Sequence, residues 1–158
     1  MYQDRIPAQD KPQLTISFKI EAKDFLRAGE VSLQVQRTLK NIGFEEELVR
    51  RVAICAYEAE MNVVLHGGDG VLTLTVHAQN IVLRVADDGP GIENIELALK
   101  EGYSTATPEQ REMGFGAGMG LPNIKKNADS LVVKSAKGTG THLTIALEAR
   151  KDGGEVNV

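Results

Sequence analysis

From Leu14 to Glu21 the chain alternates strictly, with Leu14, Ile16, Phe18 and Ile20 on one side and Thr15, Ser17, Lys19 and Glu21 on the other. A period of two predicts a half-buried strand with one wet face. The period then lengthens: Val31, Val35, Leu39 and Ile42 recur at helical spacing and stop at Gly43, a good helix terminator. A longer helix is predicted over residues 45–65, closed by His66-Gly67-Gly68. Its stretch from Val52 to Leu65 is apolar on most sides, which predicts packing on more than one face. Strands are predicted over residues 71–77 and 81–87; only Ala78-Gln79-Asn80 separates them, so they should pair antiparallel. A short helix over 93–101 then leads into residues 102–119, too rich in Gly, Ser and Thr to be regular and expected to form a lid loop. Leu121, Ile124 and Ala128 predict another helix, with Pro122 in its first turn where a missing N–H is harmless. Strands over 131–135 and 141–147 complete the pattern.

Antiparallel strands grouped around helices, without a regular βαβα alternation, predict an α/β two-layer sandwich: a mixed, mainly antiparallel sheet with helices on one face. Residues 1–13 carry Pro7 and Pro12 without periodicity and read as an irregular lead-in, 14–148 as a single domain and 149–158 as a tail. The 158 residues suit one domain, and 42% hydrophobic with 25% charged residues excludes general disorder. No apolar stretch is long enough to cross a bilayer, and the first residues lack a basic segment followed by an apolar one, so a cytoplasmic location is expected. The net charge of −4, without a dense Lys/Arg stripe, argues against nucleic acid as a partner. Cys55, the lone cysteine, sits in an apolar helical pattern and reads as a core residue.

What departs from an ordinary core is the clustering of the 16 glycines and a few misplaced polar residues. Glu58 and Asn62 stand at i and i+4 on one helix face, while Glu60 points to nearly the opposite side. Such an oxygen pair suits Mg²⁺ held jointly with phosphates, or is an ordinary hydrogen-bonded pair at a helix edge. In the strand over 81–87, Asp87 shares the core parity of Ile81, Leu83 and Val85. Followed by Asp88-Gly89-Pro90-Gly91-Ile92, it reads either as a carboxylate on a pocket floor, able to accept from an amino group, or as an Asx-type turn. Thr141 shares inward parity with Leu143, Ile145 and Leu147 and brings a hydroxyl to the same pocket. The run from Gly114 to Leu121 precedes a helix, as an anion cradle would; a flexible linker is the other reading. Neither G-x-G-x-x-G nor G-x-x-x-x-G-K-[ST] occurs in that run.

Taken in order, Glu58-x-x-x-Asn62-x-x-x-His66, Asp87-x-Gly89-x-Gly91, Gly116-x-Gly118-x-Gly120 and Gly138-Thr139-Gly140-Thr141 resemble the four boxes of the GHKL (Bergerat-fold) ATPases, the superfamily that includes histidine kinases. Within it, the compact size, the Glu-Ala-x-x-Asn-x-x-x-His signature and the segment from Tyr103 to Arg111 look most like the bacterial anti-sigma-factor serine/threonine kinases. The resemblance implies ATP and Mg²⁺ as cofactors. It implies adenine recognition by Asp87 with Thr141, magnesium ligation by Asn62 and nucleotide contacts from Gly89, Gly91, Gly116, Gly118 and Gly120. Glu58 would deprotonate the acceptor hydroxyl, and Arg111 would approach the γ-phosphate. Lys125 and Lys126 are further candidates for phosphate, against a solvated face; His66 is a candidate for catalysis, against capping or packing. Gly118-Met119-Gly120-Leu121 with Pro122-Asn123-Ile124 is partly like the histidine-kinase form, but none of His66, His77 or His142 sits where a phosphoacceptor histidine would. The implied activity is a Mg-ATP-dependent serine/threonine kinase acting on a small regulatory, anti-anti-sigma-like protein, with a sigma factor as a second partner and a homodimer left open. The alternatives are an ATP-gated sequestering module without kinase activity and the ATPase module of a two-component histidine kinase system.

Overall fold

Six strands form one sheet in the order β1-β5-β6-β4-β3-β2 in the computed structural model, which describes residues 1–8, 10–66, 68–100 and 120–149. They are β1 (Tyr2–Gln3), β2 (Leu14–Ile20), β3 (Gly70–Val76), β4 (Asn80–Asp87), β5 (Ser130–Ser135) and β6 (Thr141–Glu148). Every pairing among the described residues is antiparallel, so the parallel component expected of a mixed sheet is not seen there. The predicted hairpin closes as expected, with His77 N–H bonding the Asn80 carbonyl. Leu72, Leu74, Ile81, Leu83, Leu131, Ile145 and Leu147 on the inner face are buried beneath the helices. Burial on that scale is the main stabilising term, at about 1.5–3 kcal/mol for each large apolar side chain.

Two sequence expectations need correction at the sheet. The lead-in is not wholly irregular, because Tyr2 and Gln3 pair with Val133 and Val132 as an edge strand. Two residues are too few for any period to reveal. Val82, expected to face away from the core, is fully buried, as are its outer-face neighbours Ala146 and Val132. The reason is that the chain between β1 and β2 crosses this face. Ser130 Oγ donates to the Arg5 carbonyl at 2.9 Å, and His77 Nδ1 lies 2.7 Å from the Asp10 carbonyl.

The helices among the described residues are α1 (Glu30–Ile42), α2 (Glu46–His66), α3 (Ile95–Ala98) and α4 (Gly120–Asn127). Val31, Val35 and Leu39 of α1 are buried, whereas Ile42 stays half exposed beside the terminating Gly43. The helix predicted over 93–101 shrinks to one turn. Asn94 caps it by accepting from Leu97 N–H at 3.1 Å, and it closes at Leu99. As its composition predicts, α2 is buried on several sides, against α1, α4 and the sheet.

Polar side chains of α2 fix its neighbours. Glu60, only 2% exposed, accepts from the backbone N–H groups of Gly29, Val31 and Ser32 at 3.0–3.3 Å. A carboxylate from one helix thus caps the N-terminus of another, satisfying orphan donors and complementing the positive end of the helix dipole. On the other flank α4 runs antiparallel along α2. Gly120 lies against Asn62, Asn123 Nδ2 donates to Glu58 Oε2, the Ile124 carbonyl accepts from Cys55, and Arg51 donates twice to the Asn127 carbonyl. Arg51 also reaches Asp129 at 3.4 Å. The Cys55 thiol, pushed up to about 12 by burial, stays protonated as an inert core group.

Glu60→Ala is expected to cost about 3 kcal/mol by stranding buried N–H donors, lowering the thermal midpoint by about 10 °C. Glu60→Gln keeps an acceptor oxygen and should cost less. Thermal unfolding followed by circular dichroism measures both; an alanine variant as stable as the parent would contradict the clamp.

Candidate functional site

Strands β4, β6 and β5 end together, and their register sets Asp87 beside Thr141 and Thr141 beside Ser135. All three share the parity of the inward-facing apolar residues, so one row of polar side chains lines the helix side of the sheet end. Asp87 Oδ1 accepts from Gly89 N–H at 2.9 Å, and the Gly68 backbone also bonds this carboxylate. The Asx-type turn and the inward carboxylate are therefore one feature. Burial pushes the Asp87 carboxyl above its ordinary range, partly offset by those two N–H groups; Asp88 pushes it further up and His142 down.

Ser135 is the node of this row. Its Oγ accepts from Ile92 N–H at 2.7 Å and donates to the Gly140 carbonyl at 2.9 Å. A hydroxyl has one proton, so Thr141 Oγ1, 2.9 Å away, must be the donor to Ser135. Thr141 then offers only lone pairs to the pocket. Together, Asp87 and Thr141 present acceptors, which suits a ligand that donates, such as an exocyclic amine. Two glycines let the surrounding loops close back to back. A Cβ at Gly91 (φ +83°) would stand 2.1 Å from the Ala136 carbonyl, and one at Gly140 (φ +79°) 2.1 Å from the Asp87 carbonyl.

On the opposite flank of α2 from α1, α4 starts at Gly120, where a Cβ would lie 3.2 Å from Asn62 Oδ1. The positive end of this helix and the Asn62 amide oxygen thus adjoin, an arrangement suited to anions and a hard cation shared between them. Among the described residues no three His, Cys, Asp or Glu side chains cluster as a metal cage. One amide oxygen completed by phosphates is the donor set that magnesium accepts. Glu58, half-buried one turn away on α2, is raised above the ordinary glutamate range by burial and drawn back by the Asn123 hydrogen bond.

His66 closes α2, and burial, followed by the nearby Lys23 charge, lowers its pKa. Lys23 occupies the position a charged histidine would serve: its N–H bonds the Val64 carbonyl at 2.9 Å and its Nζ bonds the Leu65 carbonyl. Lys125 stands 5.0 Å over the Tyr2 ring, toward the edge strand, and Lys126 is exposed. Arg111, Gly116 and Gly118 lie outside the described residues, as does the expected lid over 102–119. Sequence reasoning passed over Ser135 and Asn123. Ser135 shares inward parity with Leu131 and Val133, the signal that singled out Thr141. Asn123 is a poor helix former inside a short helix, which is itself a signal.

The chain belongs to the histidine kinase-like ATPase domain family, whose model matches residues 22–147. It is 29% identical over 142 residues to an anti-sigma F factor of Clostridium acetobutylicum, covering 85% of this chain and 91% of that protein. It is 28% identical over 108 residues to the serine/threonine-protein kinase RsbT of Bacillus subtilis, covering 66% and 75% respectively. A solved structure of the mycobacterial sensor histidine kinase MprB aligns over 85% of this chain and 99% of that one, at 17% identity and a TM-score of 0.48. Membership of an ATPase family makes ATP the nucleotide to test. Among the described residues no helix is long and apolar enough to cross a membrane.

Asp87→Asn is expected to weaken ATP binding about tenfold, because an amide N–H₂ turned toward a donor replaces an acceptor. The parent should lose affinity as pH falls through the raised Asp87 pKa, beginning above the ordinary aspartate range, and the variant should lack that limb. Calorimetric titrations from neutral pH downward test both; unchanged affinity in the variant would remove Asp87 from the pocket.

Proposed function

We propose that this chain is a Mg²⁺-ATP-dependent serine/threonine protein kinase of anti-sigma-factor type, acting in the cytoplasm on a small regulatory protein. The observation that carries this reading is the register of α2 against α4: Asn62 meets Gly120 and Glu58 meets Asn123, so a metal ligand and a base adjoin one helix N-terminus.

In this reading Asp87 and Thr141 hold the adenine amino group, Gly89 and Gly91 shape the turn beneath it, and the start of α4 receives the phosphates. Magnesium, when bound by Asn62 and phosphate oxygens, would neutralise charge on the transferring group. Glu58 takes the proton of the acceptor hydroxyl as its oxygen bonds to the γ-phosphorus, while the bond from that phosphorus to the ADP oxygen breaks. Gly116, Gly118 and Arg111 would complete the phosphate cradle. A groove of about 610 Å³ between α1 and α2 is lined in part by Leu33, Ile54, Tyr57 and Glu58. It supports an approach for the hydroxyl-bearing segment of an anti-anti-sigma-like partner. The names of the anti-sigma F relatives favour a second reading, ATP-gated sequestration of a sigma factor. Sequestration alone has no use for a half-buried carboxylate with its own amide donor.

Glu58→Gln is expected to bind Mg-ATP normally while phosphotransfer falls about 10²–10⁴-fold, and Asn62→Ala to weaken Mg²⁺-dependent binding itself. The acid limb of the parent's transfer rate should lie above the ordinary glutamate range, since a base works only when ionised and burial raises this one. Labelled-phosphate transfer to protein captured from the native lysate, beside nucleotide titrations, measures this. Transfer by Glu58→Gln at the parent rate would end the general-base role; ATP-dependent capture without transfer would favour sequestration.

A further inference from the structure

Asn123 has a use that the nucleotide pocket does not account for. It lies in the first turn of α4, half-buried, and its Nδ2 donates to Glu58 Oε2 at 2.9 Å. Against an ionised carboxylate only the N–H₂ side of the amide can face inward, so the orientation of Asn123 is set by chemistry. The residue is also tied to its own helix, because Asn127 Nδ2 bonds the Asn123 carbonyl at 2.9 Å. Three residues earlier, in the same turn, Gly120 abuts Asn62. The same rigid turn of α4 therefore touches both the expected metal ligand and the expected base on α2.

We propose that Asn123 is a positioning residue that couples the helix at the phosphate end of the cleft to Glu58, holding Oε2 so that Oε1 is the oxygen left to take the acceptor's proton. A phosphate held at the start of α4 therefore acts on the carboxylate through that one hydrogen bond. The inference rests on Glu58 being the base, but the bond can be tested without that assumption. Among the described residues, few other charged or titratable groups surround Glu58. Cys55 and Tyr57 on α2 lie close enough to sense its charge, Arg50 of α2 and Glu30 of α1 line the same groove, and the α4 cation Lys125 is turned to Tyr2. Burial raises the carboxyl and the Asn123 hydrogen bond opposes that rise, so losing the amide must move the titration upward.

The test is a ¹³C NMR titration of the Glu58 side-chain carboxyl in the full chain, assigned by its disappearance in Glu58→Gln. In Asn123→Leu the midpoint should rise by about one unit, with Mg-ATP affinity within about twofold of the parent. Asn123→Ser, which keeps a shorter donor, should fall between the two. Adding Mg-ADP should shift the parent's signal by more than that of Asn123→Leu, which feels the bound charges only through space. An unchanged midpoint in both variants would overturn the proposal, and so would a tenfold loss of nucleotide affinity, which would make Asn123 part of the cradle. If the midpoint moves as expected but Glu58→Gln still transfers phosphate at the parent rate, the coupling stands and the base assignment falls.

Discussion

The three hydrogen bonds from the start of α1 to the Glu60 carboxylate set the rotation of α2, and the site follows from that rotation. Positions two apart on a helix differ by about 200° in direction. Once Glu60 is held beneath α1, Glu58 is obliged to look the other way, toward α4, and Asn62 follows it on the same face. Helix propensity and apolar packing would tolerate small rolls of so evenly hydrophobic a helix. A buried carboxylate with three donors does not, because any roll strands a charge away from its partners. Arg51 on the Asn127 carbonyl and Lys23 on the last carbonyls of α2 pin the same helix further along.

The second constraint is the common end of β4, β6 and β5. Antiparallel register brings Asp87, Thr141 and Ser135 into one row, and Thr141 spends its only hydroxyl proton on Ser135, whose own proton goes to the Gly140 carbonyl. A row made of one carboxylate and one hydroxyl with its proton already committed offers acceptors, which suits a donating ligand. The row belongs to the sheet, and Gly120 of α4 lies against Asn62 of α2. A nucleotide spanning the cleft would bridge elements held together by the core itself, which suits a site that must keep its geometry through turnover.

Much of this was legible because periodicity survives where a face is buried. Asp87 and Thr141 stood out as polar residues on inward parity, and the glycine spacing beside them marked the loops. Ser135 obeys the same parity but, as a serine at a strand end, resembles the start of any turn. Val82 could not be read correctly, since its cover comes from residues distant in sequence that cross the outer face. Glu60 could be read only as facing away from Glu58 and Asn62, because its partners are backbone N–H groups, which carry no side-chain signature. Asn123 was hidden for a related reason: its significance lies in a contact with Glu58, 65 positions away.

The most direct test of the whole arrangement is a crystal structure of the full chain with Mg²⁺ and a slowly hydrolysed ATP analogue. The account predicts the adenine amino group within hydrogen-bond distance of Asp87, and the phosphates at the start of α4 with the metal on Asn62 Oδ1. A nucleotide seated in the groove between α1 and α2, or one whose base lies at α4 and whose phosphates lie at Asp87, would contradict it.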